Sequence, residues 1–281
     1  MKIGVVDVGG GLRDMYGWGV FDYCLDNGIK FDLCIGVSAG SANVSSYLSG
    51  QRGRNRPFYL EYPLRKEYMG FGSYLKHKSF LNLEYIYDVL SHSDGENPFD
   101  YQALVDNPAE LIVVATEAET AKPMYFTKKD ISLDHYDPFK SSSAIPFVCK
   151  PYETNGIPCY DGALSNPVPV EKALEEGCDK VVLILTKPKD IPREPGYDPT
   201  FARLIKRKYP KSAEALKNRY LKYNAQVAKA KELEKEGKVL ILAPDNLEGM
   251  STLKRDPEAI EKLYKKGYEN AKELLPGFLT L

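Results

Sequence analysis

Runs of valine, isoleucine and leucine alternate along this chain with segments whose apolar residues recur every three to four positions. Strands buried on both faces of a parallel sheet read as continuous apolar runs, and the helices that cover them carry the 3.6-residue period. The pattern predicts strands at Lys2–Val8, Phe31–Val37, Glu110–Glu117, Lys180–Thr186 and Lys238–Ala243, with a shorter one at Met124–Thr127. It predicts helices at Asp14–Asn27, Ala39–Leu48, Leu81–Leu90 and Pro169–Glu176. A last helix, Asp256–Leu275, places Ile260, Leu263, Tyr264, Ala271 and Leu274 on one face. The fold class implied is α/β, a three-layer sandwich around a largely parallel central sheet. After Pro188 the texture changes: Pro188, Pro192, Pro195 and Pro199 crowd one short segment, which reads as an ordered loop. Residues 1–187 are therefore expected to form the main domain, and 188–281 a mostly helical C-terminal extension packed on the same core.

Composition narrows the class. A chain of 281 residues, 43% hydrophobic and 27% charged, can bury a sizeable core without covalent staples. A net charge of −1 argues against nucleic acid as a partner held by overall charge. Cys24, Cys34, Cys149, Cys159 and Cys178 show neither C-x-x-C spacing nor a neighbouring histidine, so reduced, packed thiols are expected. No ligand cluster suggests a metal, and no cofactor is expected. The chain opens directly into a strand, and no run approaches the roughly 20 apolar residues of a membrane span. A cytoplasmic location is the expectation.

The candidate chemistry begins at Gly36-Val37-Ser38-Ala39-Gly40, between an apolar run and a helix-compatible segment. A nucleophile on a sharp strand-to-helix turn needs small flanks, and the geometry projects the serine oxygen outward. The N–H of the following residue, Ala39, then points at a developing oxyanion. The bland alternative is a glycine-rich turn with an incidental serine. Gly9-Gly10-Gly11 follows the first strand, and consecutive glycines let backbone N–H groups converge on an anion. A second oxyanion donor is one reading. Dinucleotide binding is the other, and it fails because Asp14 stands where the third glycine of G-x-G-x-x-G belongs. A nucleophilic serine also needs a base. His77, His92 and His135 all precede Asp161-Gly162-Ala163 and lie in polar, loop-like contexts, so the serine–acid–histidine order is absent. Either a histidine serves from an unusual position or a carboxylate acts directly, and Asp161 could equally be an ordinary Asp-Gly turn.

These segments, with Leu12-Arg13 and Ser142-Ser143-Ala144-Ile145-Pro146, occur in the order of the patatin-like phospholipases and resemble that family over roughly two thirds of the chain. The ending resembles the tail of a bacterial subgroup of uncharacterised patatin-like proteins. The resemblance implies a serine acyl hydrolase of lipid esters, phospholipid or lysophospholipid in type, with residues 1–187 as the catalytic domain. It implies Ser38 as nucleophile and Asp161 as its dyad partner. Gly9, Gly10, Gly11 and Ala39 would form the oxyanion hole, and Arg13 would stand near the substrate. The chain departs from the family at Asp14, usually glycine, and at Ser142, usually alanine. The first departure questions how an anionic substrate would approach that loop.

Two surfaces bear on partners. Between Arg203 and Lys238 twelve basic residues outnumber four acids, with Leu204, Ile205, Tyr209, Leu216, Tyr220 and Tyr223 interleaved. The stretch is a candidate for peripheral contact with anionic lipid, or a solvated helix whose apolar residues pack on the core. The aromatic-rich span Phe58–Tyr74 is a candidate lid. Rival readings are a short-chain carboxylesterase or thioesterase with the same dyad, and a non-catalytic lipid-binding protein on the same fold.

Overall fold

The computed structural model of the chain describes residues 1–280. It opens with β1 (Ile3–Asp7), α1 (Met15–Asp26), β2 (Leu33–Val37) and α2 (Ala39–Leu48). Short helices α3 (Arg56–Leu60), α4 (Phe71–His77) and α5 (Tyr101–Asp106) fill the long connection to β3 (Glu110–Glu117). The helix expected at Leu81–Leu90 forms there as a π-helical turn, Tyr85–Leu90. There follow β4 (Pro123–Phe126), α6 (Asp137–Ser143), β5 (Tyr152–Thr154), β6 (Ile157–Asp161), α7 (Val170–Glu175) and β7 (Lys180–Ile184). The chain closes with α8 (Asp198–Ile205), α9 (Pro210–Lys235), β8 (Val239–Leu242) and α10 (Pro257–Thr280). All six expected strands form. The hairpin of β5 and β6, which periodicity did not predict, turns on Asn155-Gly156, both at positive φ. The proline-rich segment ends two residues earlier than expected, because Pro199 sits in the first turn of α8, where a proline leaves no helical hydrogen bond unmade.

The strands form one sheet in the order β5-β6-β3-β2-β1-β7-β8, with β4 also paired to β3. Side chains alternate between its faces: Val5, Cys34, Val182 and Leu242 enter one core with α1, α2 and α10. Val6, Ile35, Leu183 and Ile241 enter the other, under α7 and α9. This is the three-layer sandwich expected from the apolar runs. The C-terminal extension is part of it, since β8 pairs in parallel with β7.

Two features of this topology place the site. The chain leaves β1 toward β2 and β3 on one side and returns through β7 and β8 on the other. The carboxyl ends of β1 and β7 thus flank the switch point, where open α/β sheets leave a crevice. Also, β4 pairs Val113–Thr116 of β3 while β2 pairs Glu110–Val114 and β6 pairs Ala115–Glu117. A strand has only two edges, so β2 and β6 share the edge opposite β4 and meet end to end.

The last helix is fixed against the first by close backbone approach. A Cβ at Gly267 would lie 1.9 Å from the Tyr16 carbonyl oxygen, and one at Gly19 would lie 2.2 Å from that of Tyr264. The Tyr264 hydroxyl donates to Asp22 at 2.9 Å across the same seam. Gly267→Ala should therefore force α1 and α10 apart and cost about 1–3 kcal/mol. A urea-unfolding midpoint unchanged by the substitution would contradict this packing.

Candidate active site

Ser38 occupies the residue between β2 and α2, with φ 57° and ψ −130°. Such a backbone is strained for a residue with a side chain and persists only where its surroundings hold it. Here both of its peptide groups are held. The Ser38 N–H donates to Ser142 Oγ at 2.9 Å, and that hydroxyl donates to the Val114 carbonyl at 2.6 Å. The Ser38 carbonyl accepts from the N–H and hydroxyl of Ser41, at 2.9 and 2.6 Å. Ser142, brought in by α6, is thus a clamp on the turn, a role the sequence did not disclose.

Asp161 reaches the same place from β6. Its opposite residue on β3 is Ala115, one rung beyond Val114, which pairs with Val37. Consecutive rungs of one strand edge therefore carry the residue before Ser38 and Asp161 itself. The carboxyl is buried and accepts from the Ala163 N–H at 2.8 Å. Burial raises its pKa above the usual carboxylate value. The Ala163 N–H, the Ser38 hydroxyl, Arg219 and Arg193 oppose that rise. Among the described residues no hydrogen bond of ordinary length and angle joins Ser38 Oγ to Asp161; the pair is adjacent rather than closed, as unliganded sites often are. Both line one cavity of about 240 Å³ at the switch point, which none of the three histidines lines.

The glycine loop lies across this cavity from the elbow. Gly9 has φ 67°, and a Cβ there would meet the Val37 carbonyl oxygen at 2.2 Å, so only glycine lets the loop rest against the turn that carries Ser38. The Gly9 N–H, however, donates to Asp7 Oδ1 at 3.1 Å. This corrects the expectation of an oxyanion donor at Gly9. Gly10 and Gly11 also line the cavity, and their N–H groups have no partner among the loop hydrogen bonds of the described residues. The N–H of Ala39 begins α2, where the first donors of a helix are unmatched.

Asp14 does not meet the substrate space. It is fully buried beneath the loop, facing Asp7, and a Cβ at Gly17 would meet Asp14 Oδ1 at 2.6 Å and Asp7 Oδ2 at 2.7 Å. Neither oxygen of Asp14 has a hydrogen-bond donor among the described residues, whereas Asp7 accepts from Gly9 and, at 3.3 Å, from Asn43. Burial raises both acids, Asp7 to about 6 and Asp14 well above the usual range, with the Asp7 charge adding to the rise at Asp14. Of the two, Asp14 is the more strongly raised, because it lacks the donors that Asp7 has in Gly9 and Asn43. The departure from the family's glycine makes a buried acid pair that fixes the loop from behind.

Arg13 lines the cavity with its Nη1 on Thr252 Oγ1 at 3.1 Å. The span Phe58–Tyr74 forms a wall: Phe58, Tyr59, Tyr68 and Met69 are buried and line a second, apolar cavity that also touches Ser38. In the basic stretch, Tyr209, Leu216 and Tyr223 pack into the core, whereas Leu204 and Leu221 are exposed. No helix among the described residues is long and apolar enough to cross a membrane.

The patatin-like phospholipase family matches residues 8–174, and a domain of unknown function (DUF6363) matches residues 209–280. The chain belongs to the patatin-like phospholipase family. Uncharacterized protein YjjU of Escherichia coli (strain K12) is 27% identical over 194 residues, which is 68% of this chain. This chain spans about half of that relative, 53% of its length. The crystal structure of VipD from Legionella pneumophila shares the fold, with a TM-score of 0.51 over 99% of this chain and 67% of its own, at 14% identity.

The Asp7–Asp14 pair carries a pH dependence. Both pKa values are raised on folding, so the acids stabilise the fold fully only below their unfolded values near 3.8, and that stability is lost as pH rises through the folded values. Asp14→Asn, which removes one of the two buried carboxyls, should raise the melting temperature at pH 8 and change it little at pH 4. An equal shift at both pH values would exclude titration of this pair as the cause.

Proposed function

We propose that the chain hydrolyses carboxylic esters of phospholipid or lysophospholipid type, with Ser38 as nucleophile and Asp161 as its base. The observation that carries this reading is the position of Ser38 at the junction of two unlike cavities. One is apolar, walled by Phe58, Tyr68, Met69, Leu81, Leu83 and Ile86. The other is polar and holds Asp161 and the glycine loop. An acyl chain in the first brings its carbonyl to Ser38, while the alcohol side of the ester lies in the second. Phe71 and Leu75, 82% and 85% exposed on α4, follow the cavity-lining Met69 and give an aggregated lipid an apolar surface to meet.

In this mechanism Asp161 accepts the Ser38 proton as Oγ attacks the acyl carbon. The N–H groups of Gly10, Gly11 and Ala39 hold the oxyanion, and one such donor contributes about 2.7–4 kcal/mol to lowering a barrier of this kind. Protonated Asp161 then gives its proton to the alcohol oxygen as the tetrahedral intermediate collapses and the ester C–O bond breaks, leaving the acyl group on Ser38. Water, deprotonated by the same carboxylate, releases the fatty acid and restores the serine. A buried carboxyl with a raised pKa suits this double duty better than a solvated one near 3.9.

Ser38→Ala and Asp161→Asn should each lower kcat/KM on a long-chain ester by about three orders of magnitude or more, with no further loss in the double variant. Since Asp161 must be ionised to act, wild-type activity should fall on the acid side with a midpoint above the ordinary carboxylate range. Full activity in Ser38→Ala would remove the scheme. Faster turnover of short than of long p-nitrophenyl esters would favour the short-chain esterase instead.

A further inference from the structure

Deepening that reading and resting on it, we infer that Lys187, Arg193 and Arg219, together with Arg13, form a subsite for a phosphate-bearing lipid head group beside Ser38. All four line the cavity that holds Ser38 and Asp161. Arg13 follows the glycine loop, Lys187 and Arg193 lie in the loop after β7, and Arg219 projects from α9. Three of the four therefore lie beyond residues 8–174, in the part of the chain that the hydrolase family does not match.

The charges in this wall are not balanced. Asp198 is the acid that answers them, and Arg219 takes both its oxygens, with Nε on Oδ2 at 2.5 Å and Nη2 on Oδ1 at 2.8 Å. Arg193 Nη2 reaches the same carboxylate at 3.4 Å. Lys187 makes no hydrogen bond or ion pair among the described residues. Arg13 is only 8% exposed, and its Nε has no partner. Burying a cation without a counter-charge is unfavourable by several kcal/mol, and here Arg13 is buried while Lys187, Arg193 and Arg219 are half-buried, so an anion that enters meets groups already partly stripped of water. Burial and this imbalance lower the affinity of Lys187 and Arg193 for their own protons. Burial first, then repulsion from Arg13, Arg193 and Arg219, brings Lys187 down to about 8. Burial and Arg219 bring Arg193 down to about 10.

Phosphate matches this wall better than a carboxylate. A phosphomonoester carries about −1.5 to −2 charge at neutral pH and presents three acceptor oxygens, which suits guanidinium forks on more than one side. The position is also that of phosphate sites in open α/β sheets, outside the carboxyl ends of the strands at the switch point. A phosphate there places the ester carbonyl of the attached glycerol near Ser38 and the acyl chain toward the apolar cavity.

The test uses the full chain carrying Ser38→Ala, so that binding is read without turnover. Calorimetric titration with a short-chain monoacylglycerol phosphate should give about ten-fold or more tighter binding than the matching monoacylglycerol. Adding Lys187→Gln, which breaks no bond of the fold, should cut that preference several-fold, and Arg193→Gln should do the same. Equal affinity for the two lipids, or a preference that survives both substitutions, would overturn the subsite. Inorganic phosphate binding as tightly as the phosphorylated lipid would overturn its assignment to a head group. The two readings separate in the parent chain with Ser38 intact. Preference without hydrolysis of either lipid keeps the subsite and removes the hydrolase scheme. Hydrolysis of both lipids with equal kcat/KM keeps the scheme and removes the subsite.

Discussion

Two strands run into each other along one edge of β3, and the juxtaposition of Ser38 and Asp161 follows from that meeting. Val37 lies opposite Val114, and Asp161 lies opposite Ala115. Because consecutive rungs along a strand are about 3.3 Å apart, residues far apart in sequence are brought together with little freedom to drift. The strain of the Ser38 backbone is sustained at this point by Ser142, whose hydroxyl bridges Ser38 and Val114. A serine at a position the family usually fills with alanine thus couples the elbow to the strand that aligns it.

Burial does more than assemble the site; it raises the pKa values of its acids. Asp161 and the Asp7–Asp14 pair are all raised by removal from water, yet they stand in different relations to the cavity. Asp161 lines it beside Ser38. Asp7 and Asp14 lie behind the glycine loop, and the Gly9 N–H serves Asp7 rather than the substrate space. The loop is thereby fixed on its inner side while Gly10 and Gly11 keep the outer one.

Much of this was legible before any coordinates. The parallel strands announced themselves as uninterrupted valine and isoleucine runs, and the elbow by a serine between glycines at a strand's end. The β5–β6 hairpin was not, because Tyr152–Thr154 is short and Pro158 interrupts the next run, although Asn155-Gly156 carried the turn signal. Periodicity is blind to pairing, so nothing in the order of residues said that β6 would continue the line of β2. The basic stretch was misleading in one respect: Arg219, counted there as one of many surface charges, turns inward to Asp198 and the cavity. Charge along a helix becomes a site only through the face the helix buries, and α9 buries the one carrying Tyr223 and Val227.

The central claim is that one hydroxyl, held by its turn beside a buried carboxylate, is the reactive nucleophile of this chain. Incubation of the folded protein with a fluorophosphonate, followed by intact-mass and peptide analysis, tests it most directly. A single adduct on Ser38, formed far more slowly when Asp161 is replaced by asparagine, is the expected result. An unmodified protein, or an adduct that persists when Ser38 is alanine, would contradict the account.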